Sequence, residues 1–154
     1  MNNDEVITRF YTAFQKKDFR AMQQLYADTA VFSDPVFTNL DAKQVRAMWE
    51  MLILRGKDMT LEFKNVQSSS TGGSAEWVAN YTFSATGRHV ENRIKATFEI
   101  DNGKIIKHTD VFDFKRWSKQ AFGFRGWLLG GTSFLKNKVQ ENAMGNLKKY
   151  MERK

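Results

Sequence analysis

The segment His89-Val-Glu-Asn-Arg-Ile-Lys-Ala-Thr-Phe-Glu-Ile-Asp-Asn-Gly-Lys-Ile-Ile-Lys-His-Thr-Asp-Val-Phe112 decides the fold. In its first half Asn92, Ile94, Ala96 and Phe98 alternate with Glu91, Arg93 and Lys95, the period of two expected of a strand with one buried face. Asp101-Asn102-Gly103 then reverses the chain, because Asn and Gly accept the positive φ of a tight hairpin turn. Beyond the turn a last strand runs from Lys104 to Phe114. Ile106, His108, Asp110 and Phe112 share one of its faces, and Lys107, Thr109 and Asp113 share the other. Upstream, Ala75 to Thr86 is a long strand with Trp77, Ala79, Tyr81 and Phe83 on one side. Met59 to Val66 also alternates, and Gln67 to Ser74 is a polar loop between the two.

Ahead of this meander the period is helical. Val6, Ile7, Phe10, Tyr11 and Phe14 fall at three- and four-residue spacing behind Asn3 as cap. Asp18 caps a short second helix with Phe19, Met22, Leu25 and Tyr26 on one face. Ala30-Val31-Phe32 is a brief strand stopped by Ser33-Asp34-Pro35. Asp41 and Gln44 form a capping box for a third helix that carries Val45, Met48, Trp49 and Leu52 and stops at Gly56. Three N-terminal helices packed on a strongly curved antiparallel sheet make an α+β fold. The expected organisation is a single domain, with a body over residues 1–114 and a C-terminal helical extension over residues 115–154.

Composition narrows the function classes. The chain of 154 residues is 42% hydrophobic and 27% charged, which excludes disorder and allows one self-sufficient core. It has no Cys, so disulfides, zinc–thiolate sites and thiol catalysis are excluded. Two His without clustered partners point to no metal. No apolar run reaches membrane-spanning length and no secretory leader is legible, so a cytoplasmic protein is expected. The net charge of +7 is uneven: residues 1–114 sum to −1, and residues 115–154 carry ten Lys and Arg against Glu141 and Glu152. A neutral body disfavours nucleic acid as a partner. In the tail, Phe122 to Thr132 sets four glycines among large apolar residues, and a turn there is expected to fold Trp127 and Leu128 back onto the body. Leu135, Val139, Ala143, Leu147 and Met151 then mark a basic amphipathic helix from Ser133. Such a helix can touch a membrane through its basic face; packing on the body or a partner is the favoured reading.

The candidate chemistry lies where polar groups meet an interior. If the Ile106/Phe112 face is buried, His108 and Asp110 are buried side by side, and the carboxylate either orients the ring or holds it protonated. The alternative is a satisfied polar pair that only pins the strand. Asp34 before Pro35 reads alone as a turn residue. Asn92 supplies one amide to the interior. Trp49, Trp77, Tyr81 and Phe83 are core residues that in a conical fold also line a pocket.

Several strings together resemble a known superfamily. Arg9-Phe-Tyr-Thr-Ala-Phe14, Lys17-Asp-Phe19, Leu25-Tyr-Ala-Asp28 and Val31-Phe-Ser-Asp-Pro-Val36 resemble the opening of the nuclear-transport-factor-2-like superfamily. Gly103-Lys-Ile-Ile-Lys-His-Thr-Asp-Val-Phe-Asp113 resembles the last-strand signature of its SnoaL-like polyketide cyclase branch. The resemblance implies a cone with an apolar pocket, commonly in a homodimer. Asp34 matches the general base of the ketosteroid isomerases, whose oxyanion hole pairs a Tyr with an Asp kept protonated. Those two positions are Phe10 and Ala96 here, and neither donates a hydrogen bond. His108 and Asp110 match the polar pair of the SnoaL-like motif, where an acid serves an intramolecular aldol closure. The Arg-x-Asp arrangement of limonene-epoxide-hydrolase relatives is absent from the strand His89 to Ile100.

The resulting expectation is a cofactor-independent cyclase, isomerase or hydrolase acting on an apolar small molecule. Asp34 or Asp110 removes a proton beside a carbonyl and His108 polarises or protonates the oxygen. Phe10, Phe14, Trp49, Trp77, Tyr81, Phe83, Asn92, Ala96 and Phe112 are expected to contact the substrate. The alternative is a non-catalytic binding module for an apolar ligand on the same fold.

Overall fold

The computed structural model describes residues 1–153. Three helices lead in: α1 (Asn3–Gln15), α2 (Phe19–Gln24) and, after strand β1 (Tyr26–Ser33), α3 (Ala42–Arg55). Four strands follow, β2 (Thr60–Ser68), β3 (Gly72–Phe83), β4 (Arg88–Asp101) and β5 (Lys104–Val111), and then α4 (Phe114–Phe122), α5 (Phe124–Leu129) and α6 (Ser133–Glu152). The sheet runs β1-β5-β4-β3-β2. The four strands of the meander pair antiparallel, as their alternation implies, whereas β1 joins the free edge of β5 in parallel.

Local chemistry sets most boundaries. The helix caps read from sequence hold for α2 and α3: Asp18 accepts from Ala21 N–H, and Asp41 and Gln44 cap reciprocally. The α1 cap is Asn2 rather than Asn3, because its side chain reaches Glu5 N–H. Asn102 and Gly103 take φ of 50° and 76°, the left-handed pair that closes β4 on β5. Asp113 caps α4 through Arg116 N–H, so β5 ends at Val111 and not at Phe114. Gly72 lets β3 lie close to β4, since a Cβ there would stand 1.9 Å from the Phe98 carbonyl oxygen.

The concave face buries one aromatic core. Phe10, Tyr11 and Phe14 of α1 meet Trp49 of α3, Trp77 of β3 and Phe98 of β4 through edge and tilted contacts 5.0–6.1 Å between ring centres. Tyr11 Oη and Trp77 Nε1 are buried there without a hydrogen-bond partner among the described residues. Across one end lies a second cluster of Val90, Phe114, Trp117 and Ala121, joined by Phe83, Phe122, Leu135 and Val139. It is built by the tail. Further along α6, Leu147 enters the main core, Tyr150 Oη donates to Glu50, and Arg55 lies over the Tyr150 ring.

Because Leu147 is only 1% exposed, Leu147→Ala should lower the unfolding free energy by about 2–5 kcal/mol. Urea denaturation followed by circular dichroism measures it; a loss below about 1 kcal/mol would make α6 a loose appendage instead of a wall of the core.

Candidate active site

The centre of the cone holds a directed row of polar side chains. Trp49 Nε1–H donates to Tyr26 Oη at 2.9 Å, and Tyr26 Oη lies 2.8 Å from His108 Nδ1. His108 Nε2 lies 2.9 Å from Asp110 Oδ1. An indole N–H can only donate, so Tyr26 receives that bond, and its own proton is directed at His108 Nδ1 when the ring carries its hydrogen on Nε2, toward Asp110. Burial raises the Tyr26 phenol well above its ordinary pKa, against the lowering bond from Trp49, so it stays a neutral donor.

His108 is enclosed. Phe98 stacks on it at 4.2 Å, Phe32 and Phe10 meet it edge-on at 4.9 and 5.5 Å, and both ring nitrogens are engaged. The ring expected to polarise a substrate oxygen therefore has Tyr26 on one nitrogen and Asp110 on the other. Its neighbours follow from register, with Phe32 beside it in parallel on β1 and Phe98 opposite on β4. Asp110 faces Ala96 across the β4–β5 ladder, so the flank of the carboxylate is a methyl group.

Asp34 approaches from the turn after β1. Its Oδ1 accepts Val36 N–H at 2.7 Å and Phe37 N–H at 2.6 Å. Both bonds fall on Oδ1, so Oδ2 is the oxygen left for proton transfer. Burial pushes its carboxyl up to about 7; the two amides pull against that shift, and the charge of Asp110 adds to it. The turn residue and the strand pair thus feel one another electrostatically.

Tyr81 completes this end. Trp117 Nε1–H of α4 donates to Tyr81 Oη at 2.7 Å, which leaves the phenolic proton to point elsewhere. Burial raises the Tyr81 phenol, opposed by the Trp117 bond and aided by the charge of Asp34. A neutral hydroxyl donor and a carboxyl poised near neutrality therefore share one region. The tail supports it: Gln140 Nε2 donates to the Pro35 carbonyl at 2.9 Å, and Val36 packs into the second cluster.

The remaining expected contacts divide. Phe10, Phe14, Trp49 and Trp77 are packed against one another in the core. Asn92 and Ala96 are buried on β4, with Asn92 opposite Ala79. Phe83 belongs to the cover, 5.3 Å from both Trp117 and Phe122. Phe112 touches both clusters. Two open surface depressions of about 580 Å³ each lie outside the cone, one around Arg46 and Glu50 and one along α6; neither is lined by Asp34, His108 or Asp110. Among the described residues no group of three or more His, Cys, Asp or Glu is placed to hold a metal ion.

Two residues of the site, Tyr26 and Trp117, carry no signal of their role in the sequence pattern. Tyr26 continues the apolar face of α2, yet it also shares parity with Ala30 and Phe32, which face inward along β1. Trp117 is legible only as an apolar residue at the head of the tail.

Helices packed on a curved five-stranded sheet, with Asp34 and Asp110 coupled electrostatically, define a small α+β domain. The chain belongs to the SnoaL-like family, whose domain model matches residues 7–108. A comparison with curated proteins finds no match. Among solved structures the chain is similar to IdmH, a proposed polyketide cyclase from Streptomyces antibioticus, at 21% identity over 78% of this chain and 98% of that one, with a TM-score of 0.66. A proposed polyketide cyclase from Pseudomonas putida is 19% identical over 79% and 98% of the two chains, with a TM-score of 0.67. An LEH-like epoxide hydrolase from M. tuberculosis is 19% identical over 80% and 90%, with a TM-score of 0.63. These likenesses establish the fold.

The bonding of the row is testable at its centre. Tyr26→Phe leaves Trp49 Nε1 and His108 Nδ1 unpaired and should cost about 1–3 kcal/mol. Long-range ¹⁵N–¹H spectra should show His108 as the Nε2–H tautomer in the native protein; an Nδ1–H tautomer would reverse the direction of the row.

The carboxyl of Asp34 titrates higher in the folded than in the unfolded chain. Its stabilising contribution is full below about pH 4 and is lost as pH rises through about 7. Asp34→Asn keeps an oxygen for the two amides and removes the buried charge. It should therefore stabilise the protein at pH 8 by about 1–3 kcal/mol and have little effect at pH 4. Equal stability changes at both pH values would contradict this environment.

Proposed function

We propose that this SnoaL-like protein is a cofactor-independent enzyme that removes a proton beside a carbonyl in an apolar small molecule, with Asp34 as general base. The observation that carries the reading is the Asp34 geometry: Oδ1 anchored by two backbone amides, Oδ2 left open, and the carboxyl shifted to about 7 beside Asp110. A base with that pKa is largely ionised just above neutrality and still binds a proton firmly.

Each group then has a role. Asp34 Oδ2 takes the proton from carbon. Tyr81, whose oxygen already accepts from Trp117, donates its proton to the developing enolate oxygen. This phenol replaces the donors that are missing at Phe10 and Ala96. In a cyclase reaction the enolate carbon attacks a second carbonyl of the same molecule, one C–C bond forms, and Asp34 returns its proton to the new alkoxide. No electron acceptor or cofactor enters the balance. Burial keeps Asp34 high, and the charge of Asp110, held by His108, adds to the shift. The likeness to proposed polyketide cyclases supports a carbonyl-rich substrate. The competing reading, a non-catalytic binder, draws support from Phe10 and Ala96, which offer no hydrogen bond to an oxyanion.

Deuterium uptake next to the carbonyl of 1,3-dicarbonyl and aryl-ketone compounds in D₂O, followed by proton NMR, tests the reaction without assuming a product. Catalysed exchange should rise with pH through about 7 as Asp34 ionises. It should fall about 10²–10⁴-fold in Asp34→Asn and about 10²–10³-fold in Tyr81→Phe. Exchange unchanged in Asp34→Asn would remove the base; tight binding with no exchange for any compound would establish the binder.

A further inference from the structure

The tail departs from expectation at α5. Trp127 and Leu128 do not fold back on the body: they are 57% and 55% exposed, beside Phe124 at 70%, Leu129 at 39% and Phe134 at 69%. Five large apolar side chains therefore stand in solvent between Phe124 and Phe134. The inner face of α5 explains how. A Cβ on Gly126 would stand 1.9 Å from the Ser118 carbonyl oxygen, and one on Gly130 would stand 2.3 Å from Ser118 Oγ. Glycines press this helix onto α4, and its bulk points outward, with Phe124 and Trp127 stacked at 5.9 Å. The helix is amphipathic in reverse. Globular packing gives no reason for that arrangement, and an apolar outer environment does.

Charge identifies the environment. Residues 114–140 contain Lys115, Arg116, Lys119, Arg125, Lys136 and Lys138 and no acidic residue; all six cations are exposed, and Arg116 pairs with Glu91 of β4 at 3.6 Å. We infer that α5 and the first turn of α6 form a docking surface for a membrane rich in anionic lipid headgroups. Phe124, Trp127, Leu128 and Phe134 enter the headgroup–acyl boundary, and the surrounding cations meet the headgroups. A second copy of the chain fits less well, because a two-fold contact through this patch brings two sets of six cations together. None of the helices among the described residues is long and apolar enough to cross a membrane, so the contact is interfacial. The inference does not depend on the catalytic reading of Asp34.

Co-sedimentation with large unilamellar vesicles tests it, using pure phosphatidylcholine against phosphatidylcholine with about 30% phosphatidylglycerol. The full chain should partition at least roughly tenfold more strongly onto the anionic vesicles, and high salt should reverse it. The double substitution Trp127→Ser with Leu128→Ser should weaken partition at least roughly tenfold at unchanged melting temperature. Arg125→Glu with Lys138→Glu is an independent surface pair and should remove the preference for anionic lipid. Absence of vesicle binding by the native chain would overturn the inference. So would undiminished binding by both folded variants. Self-association that disappears with Trp127→Ser/Leu128→Ser, without vesicle binding, would assign the patch to a second copy and overturn it too.

Discussion

The Tyr26 hydroxyl joins helix α3 to strand β5 by polar bonds in the middle of the core. It accepts from Trp49 on α3 and donates to His108 on β5, while its own backbone begins β1, the parallel edge strand. Because the indole can only donate, the Tyr26 oxygen is the acceptor toward Trp49 and its own proton is available to His108. The His108 ring itself is enclosed by Phe98, Phe32 and Phe10. It also delivers a hydrogen-bond donor to Asp110, the one charged group of the row. A carboxylate at that depth is tolerable because the row ends on it.

A second indole–phenol pair repeats the arrangement at the tail. Trp117 donates to Tyr81 as Trp49 donates to Tyr26, but with a different result. In the deep pair the phenolic proton is consumed by His108; at Tyr81 no side chain among the described residues takes it. The difference separates a structural row from a group available to a bound molecule. It also ties α4 to this end of the sheet, since Trp117 holds the Tyr81 hydroxyl.

The alternation of β4 and β5 and the Asn102-Gly103 turn make the concave face legible, and with it the burial of His108 and Asp110. Helix bounds are readable where side chains cap them, as Asp18, Asp41 and Gln44 do. The family strings place Asp34 beside that face, which its Asp-Pro neighbourhood alone does not. Three features are hidden for physical reasons. The role of Tyr26 depends on β1 pairing in parallel with β5, a long-range contact with no local signature. Helix α4 is obscured because Phe112 and Phe114 continue the alternation of β5 until the Asp113 cap interrupts it. The outward bulk of α5 depends on which side of a six-residue helix meets Ser118. Glycine content announces a close approach without saying which neighbour is approached.

The tail has two faces with opposite demands, and the balance between them explains its sequence. Its inner face holds a turn that works against stability: Asp34 is kept near neutrality by burial and, to a smaller degree, by the charge of Asp110. Gln140 on the Pro35 carbonyl and Val36 in the tail's apolar cluster keep that turn in place. Leu147 and Tyr150 anchor the far end of α6 on the helices of the body. Only after these contacts are made is the short α5 free to present Phe124, Trp127 and Leu128 outward. A covering segment fixed at both ends can carry an exposed apolar face without unfolding to bury it. The same fixation holds the second phenol against its indole and the turn carboxyl above its ordinary range. The outward face and the buried site are thus consequences of one set of contacts, those between the tail and the cone.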